Sequence, residues 1–161
     1  MADSKVVRVL FVCLGNICRS PTAHGVFDAQ VRAGNLQHRI VADSCGTGDW
    51  HVGSPPDSRA MATAAEHGYD LSDLRARQVC AQDFDRFDYI LAMDEQNLID
   101  LQRLKPKGFT GHLGLFLKFS GEADITEVPD PYYTGADGFT EVLQLVESAS
   151  AGLLRAINDA D

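Results

Sequence analysis

Positive charge is scarce in this chain. Only 14 Lys and Arg stand against 23 Asp and Glu, giving a formal net charge of −9. That balance disfavours DNA, RNA and acidic membranes as partners. It also means that any phosphate site must be made positive locally, because screening limits surface charges to about 8 Å at physiological salt. No run of about 18 apolar residues occurs, so no membrane-spanning helix is expected. Met-Ala-Asp-Ser-Lys at the N-terminus lacks the pattern of a signal peptide, and the expected location is the cytoplasm. The four cysteines, Cys13, Cys18, Cys45 and Cys80, contain no CxxC pair. Zinc ligation is not expected, and a reducing compartment argues against a disulfide framework. The five histidines form no HxxxH pair and read as surface or locally satisfied residues. No internal repeat, low-complexity stretch or long linker appears.

What is present is an ordinary globular composition, 45% hydrophobic and 23% charged over 161 residues. That length suits one domain, 1–161. Strand-like and helix-like segments alternate. Val6 to Val12 is a β-branched apolar run of the kind found in central parallel strands. Ser20-Pro21 reads as N-cap and N1 of a helix with apolar Ala23, Val26, Phe27 and Val31, ended by Gly34. Ile40-Val41-Ala42 predicts a short second strand. Pro55-Pro56-Asp57 announces a second helix, with Met61, Ala64 and Ala65 facing inward and Gly68 as its stop. Tyr89 to Met93 predicts a third strand, followed by a helix capped by Asp94. A fourth strand is expected within His112–Phe119. Phe139, Val142, Leu143, Val146, Leu153 and Ile157 mark a long final helix. The pattern predicts an α/β three-layer domain: a four-stranded parallel sheet with helices on both faces. Ligands in such folds sit at the carboxyl ends of strands, where Cys13 lies.

The segment Cys13-Leu14-Gly15-Asn16-Ile17-Cys18-Arg19-Ser20 joins the first strand to a helix N-terminus. Helix N-termini present unpaired N–H groups and a partial positive charge. A short loop entering one can curl into an anion-binding nest. Gly15 permits the dihedrals that curling needs, and Asn16 tolerates left-handed geometry. A thiol at the centre of such a nest should ionise readily, with Ser20 able to donate to it. Arg19, six residues on, offers a planar fork for two phosphate oxygens. Cys-x5-Arg alone is weak evidence: chance predicts roughly 0.25 such pairs here. The bland reading is a core cysteine and a solvated arginine. The strand before, the Gly and Asn within, and the Ser-Pro after outweigh it.

Phosphoryl transfer to a thiolate also needs a proton for the departing oxygen. Asp130, between Pro129 and Pro131 and followed by Tyr132 and Tyr133, is the candidate. Taken alone, this segment reads as a rigid surface turn.

Together, the Cys13–Ser20 loop and Asp130-Pro131-Tyr132-Tyr133 resemble the low-molecular-weight protein tyrosine phosphatases. Asp43-Ser44, Trp50, Val52-Gly53, Pro55-Pro56-Asp57, Ala76-Arg77-Gln78, Asp83-Phe84 and Phe87 to Asp94 extend the resemblance over essentially the whole chain. The resemblance implies a metal-free, cofactor-free, two-step hydrolysis of phosphotyrosine. Cys13 is its nucleophile, Arg19 its transition-state clamp and Asp130 its acid and base. Leu14, Gly15, Asn16, Ile17, Cys18 and Ser20 complete the implied phosphate loop. Asn16 and Ser44 match bracing positions. Cys18 matches a cysteine able to pair with the nucleophile under oxidation. Trp50, Tyr132 and Tyr133 match the aromatic cleft walls, which let phosphotyrosine reach the thiolate while phosphoserine falls short. For Trp50 the alternative is a core aromatic. The implied partner is a phosphotyrosine-bearing protein, a tyrosine kinase among the candidates, with inorganic phosphate as product. The chain is expected to be a monomer or weak dimer. Two positions draw notice. Asp73 stands where many members carry a bracing His. Ile17 stands where relatives acting on phosphoarginine tend to carry Thr.

Three rivals are set aside on sequence. Thioredoxin-coupled arsenate reductases need two further mid-chain cysteines, and Cys80 stands alone. A phosphocysteine carrier has no need of Arg19 or Asp130. A phosphotyrosine-binding module could discard Cys13 or Asp130, and neither is missing.

Overall fold

Strand β1 (Val7–Cys13) lies inside the sheet and is buried from Val9 onward. Its alternate residues feed two cores. Val9, Phe11 and Cys13 face one side, and Leu10 and Val12 the other. This double burial explains the unbroken apolar run, which a sheet with one wet face would not need. In a computed structural model that describes residues 6–122, 124–133 and 136–160, four parallel strands stand in the order β2-β1-β3-β4. The others are β2 (Ile40–Gly46), β3 (Tyr89–Ala92) and β4 (His112–Leu115). The side chains of Tyr133 and Ala136 fall outside the described residues.

Helices α1 (Arg19–Ala33) and α5 (Ala136–Asp159) cover the first face. Phe11 meets Phe27 of α1 and Phe116 edge-on there, at centroid distances of 5.6 and 5.0 Å. The second face is covered by α3 (Asp83–Arg86) and α4 (Glu95–Leu104) through Phe84 and Leu101. α2 (Ser58–Glu66) packs on α5. The result is the expected three-layer α/β fold with a parallel sheet. β1 leads to β2 on one side, and the chain then crosses to β3 on the other, so the topological switch falls at the carboxyl end of β1. That crevice is where such sheets bind ligands.

Several boundaries differ from the sequence reading. β2 runs seven residues rather than three, pairing with β1 as far as Cys13 opposite Gly46. It is an edge strand, and polar Asp43 and Ser44 find partners outside the sheet. Helix α1 starts at Arg19, so Ser20 is inside the first turn rather than its cap. Pro21 is tolerated there because early N–H groups lack helical acceptors. In α2 the inward residues are Ala60 and Ala64; Ala65 is exposed and Met61 half-buried. Asp57 caps that helix through its side chain, which accepts the Arg59 N–H. The fourth strand expected within His112–Phe119 is β4, and the rest of that run is a 3-10 turn, Phe116–Phe119. Among the described residues no helix is long and apolar enough to cross a membrane.

Candidate active site

The loop from Cys13 to Arg19 curls around the cysteine sulfur. The Asn16 N–H donates to Cys13 Sγ at 3.2 Å, and Ser20 Oγ lies 3.0 Å from the same atom. Asn16 adopts φ +59°, the left-handed turn that its short amide tolerates. Its side chain is used at both ends. Nδ2 donates to Ser20 Oγ at 2.8 Å, and Oδ1 accepts the Arg77 N–H at 3.0 Å. Because Asn16 fills an acceptor site on Ser20, the one hydroxyl proton is left for Sγ or for the Cys45 carbonyl at 3.3 Å. Donation to sulfur stabilises negative charge there.

Arg19 is 3% exposed. Its NH1 donates to Asp94 Oδ2 at 2.7 Å and to the Val128 carbonyl at 3.0 Å, and its NH2 lies 3.8 Å from Asp130 Oδ2. Burial opposes its charge, but Cys13, Asp94 and Asp130 outweigh that and raise its pKa. Cys18 is a free, buried thiol whose pKa is pushed up to about 12, first by burial and then by Asp57, Cys13 and Asp130.

A cleft of about 300 Å³ opens over the loop. Cys13, Leu14, Gly15, Ile17, Cys18 and Arg19 form its floor, and Trp50, His51, Asp130 and Tyr132 its walls. Trp50 is 69% exposed, so it is no core aromatic. Its ring folds over Gly48, where a Cβ would come within 1.9 Å of it. Asp130 accepts the Tyr132 N–H at 3.0 Å. Ser44 is buried and bonded to His24 Nδ1 at 3.0 Å; the β2 group that meets Ser20 is the neighbouring Cys45 carbonyl. Asp73 is exposed, and the amide oxygen of Asn16 is served by the backbone of Arg77. Tyr133's side chain, also expected in the cleft, lies outside the described residues.

Three participants escaped the sequence reading. In the sequence Asp94 reads as a helix cap and as the end of the Phe87–Asp94 segment, with no link to Arg19, yet it holds Arg19. Its position directly after β3, at the carboxyl edge of the sheet, was the available signal. His51, expected to be a surface or locally satisfied residue, lines the cleft, its ring against Gly15. Val128 contributes only a carbonyl, for which no sequence signal exists.

Residues 8–161 match the family description "Low molecular weight phosphotyrosine protein phosphatase". A low molecular weight protein-tyrosine-phosphatase of Streptomyces coelicolor is 47% identical over 156 residues, covering 94% of each chain. Its Bacillus subtilis counterpart YfkJ is 42% identical over 152 residues, covering 94% of this chain and 96% of its own. The crystal structure of YfkJ superposes with a TM-score of 0.91 at 40% identity and 98% coverage of both chains. A Drosophila arginine phosphatase superposes with a TM-score of 0.89 at 32% identity, covering 95% of this chain and 99% of that one. With a match spanning both motifs and the strands between them, this chain belongs to the low-molecular-weight phosphotyrosine protein phosphatases.

Proposed function

We propose that the enzyme hydrolyses protein phosphotyrosine, and simple aryl phosphates, through a phosphocysteine intermediate. The observation that carries this is that Arg19 NH2 and Asp130 Oδ2, 3.8 Å apart, line the same cleft as Cys13. The Cys13 thiolate attacks phosphorus while the P–O bond to tyrosine breaks. Asp130 delivers a proton to the departing phenolic oxygen. Loop N–H groups and the Arg19 fork hold the equatorial oxygens as charge develops on them. In the second step water attacks phosphorus, Asp130 takes its proton, and the P–S bond breaks to release phosphate. Leu14 and Ile17 below and Trp50 and Tyr132 at the sides give the cleft the apolar lining a phenyl ring requires. Ile17 also favours tyrosine over arginine, since relatives acting on phosphoarginine tend to carry Thr at that position. The substrates are phosphotyrosine proteins, a tyrosine kinase among the candidates.

The test is hydrolysis of p-nitrophenyl phosphate from about pH 5 to 8 in EDTA, for the wild type and Cys13→Ser. Metal-independent turnover that disappears in Cys13→Ser, with vanadate still bound, supports the reading. Turnover retained in Cys13→Ser removes Cys13 from the chemistry.

A further inference from the structure

Asp130 is tied to what happens at Tyr132. The Tyr132 backbone N–H holds Asp130 Oδ1 at 3.0 Å, so a shift of Tyr132 moves the carboxylate with it. The Tyr132 ring in turn lies on the guanidinium of Arg59, whose central carbon is 5.3 Å from the ring centroid. The same guanidinium sits 4.8 Å from the centroid of Phe139, a buried residue of α5. Arg59 thus fills the space between the start of α5 and the turn carrying the acid.

Its position is imposed from a third side. Asp57 grips it with both oxygens, Oδ1 to Nε at 3.0 Å and Oδ2 to NH2 at 2.9 Å. A planar two-bond fork sets orientation as well as distance. Asp57 is itself fixed: Oδ1 caps α2 through the Arg59 N–H at 2.8 Å, and its own N–H donates to the Ile17 carbonyl at 2.8 Å. Ile17 belongs to the phosphate loop. A continuous line of contacts therefore runs from the loop through Asp57, Arg59 and Tyr132 to Asp130.

An exposed Asp–Arg pair two residues apart would ordinarily contribute little. This one does more, because the guanidinium is stacked between two rings. We propose that Arg59 is a positioning residue for the proton donor: by clamping the Tyr132 ring it sets the Asp130 carboxylate relative to the thiolate. The inference rests on the assignment of Asp130 as the acid. Arg59 is not among the residues that line the cleft, so its effect is confined to the proton transfers that Asp130 makes. Small displacements of a catalytic group cost large factors in rate.

The experiment measures kcat/KM, which reports formation of the phosphocysteine, on p-nitrophenyl phosphate, with a good leaving group, and phenyl phosphate, with a poor one. The proteins are wild type, Arg59→Met, Arg59→Lys, Asp57→Asn, Asp130→Ala and the double variant Arg59→Met/Asp130→Ala. Asp130→Ala should lose far more on phenyl phosphate. Arg59→Met should show the same bias, about tenfold or more beyond its loss on p-nitrophenyl phosphate, with inhibition by inorganic phosphate unchanged. Asp57→Asn should reproduce that bias without altering the stacked residue. Arg59→Lys, which keeps a cation on the ring but loses the fork, should fall between. On phenyl phosphate the double variant should be no slower than Asp130→Ala, because a positioning residue has nothing to position once the carboxylate is gone. Equal losses on both substrates in Arg59→Met, or additivity with Asp130→Ala, would overturn the proposal. Absence of leaving-group bias in Asp130→Ala would instead overturn the acid assignment, and the role of Arg59 with it.

Discussion

Asp94 holds Arg19 with one oxygen and a helix with the other. Oδ2 accepts from Arg19 NH1 at 2.7 Å, and Oδ1 accepts the Asn97 N–H at 2.8 Å as the cap of α4. The nearly buried guanidinium is thus anchored to the rigid end of β3, leaving its second terminal nitrogen toward the cleft. The two functions separate by substitution. Asp94→Asn keeps a competent cap but leaves the nearly buried guanidinium without its charge partner, so kcat should fall at least tenfold and stability by about 3 kcal/mol. Asp94→Ala removes the cap too, and should lose about 1 kcal/mol more in urea unfolding. Equal stability in the two variants would show that the cap contributes nothing.

The two cysteines of the loop should differ sharply in reactivity. With its pKa near 12 and its side chain buried, Cys18 remains a thiol across the physiological range. Cys13 accepts hydrogen bonding at sulfur and opens on the cleft. Thiolates, not thiols, alkylate. One equivalent of iodoacetate at pH 7 should therefore label Cys13 in preference to Cys18 by peptide mass spectrometry, with inorganic phosphate protecting it. Labelling of Cys18 at a comparable rate would contradict this ordering.

The parts of the site legible in sequence are those built from neighbours in the chain. The loop could be read because its apolar strand, its Gly and Asn, and its Arg and Ser-Pro all fall within a few residues of Cys13. Asn16 does take the left-handed turn. β2 looked too short because Asp43 and Ser44 read as the end of a strand. Their partners, Arg77 and His24, lie 34 and 20 residues away, and local pattern cannot supply them. The pairing of Asp94 with Arg19 spans 75 residues and was invisible for the same reason. α3 has four residues, too few to show a helical period. The split of His112–Phe119 into strand and 3-10 turn was hidden by an apolar run that satisfies either geometry.

His24 should make folding stability depend on pH. It sits half-buried beside Ser44, where burial lowers its pKa; Arg77 adds to that, while Asp43 and Asp28 oppose it. A histidine with a lowered folded pKa binds its proton more readily when unfolded. Stability is therefore complete above the unfolded value of about 6.5 and declines as pH falls toward the folded value. His112, also lowered by burial, adds to the same trend. Urea midpoints should drop between pH 7 and pH 5, and His24→Asn, able to hydrogen-bond Ser44 without titrating, should flatten part of that slope. An unchanged slope in His24→Asn would assign the effect elsewhere.

Gly46 and Gly48 offer a contrast between floor and wall. A Cβ on Gly46 would come within 2.7 Å of the Leu14 carbonyl oxygen and 3.1 Å of the Asn16 nitrogen, all backbone of the phosphate loop. Backbone cannot swing aside, so Gly46→Ala must push the loop off its place under Cys13. Overpacking of this kind costs about 1–3 kcal/mol, and it should also reduce kcat and weaken phosphate inhibition. The atoms nearest a Cβ on Gly48 belong to the Trp50 ring, an exposed side chain with room to rotate outward. If Trp50 walls the substrate's phenyl ring, as proposed, Gly48→Ala should therefore leave stability and kcat nearly intact while raising KM for a phosphotyrosine peptide. Steady-state kinetics and thermal melts on the two variants check both halves. If Gly48→Ala lowers kcat and leaves KM alone, Trp50 is not a wall of the substrate cleft.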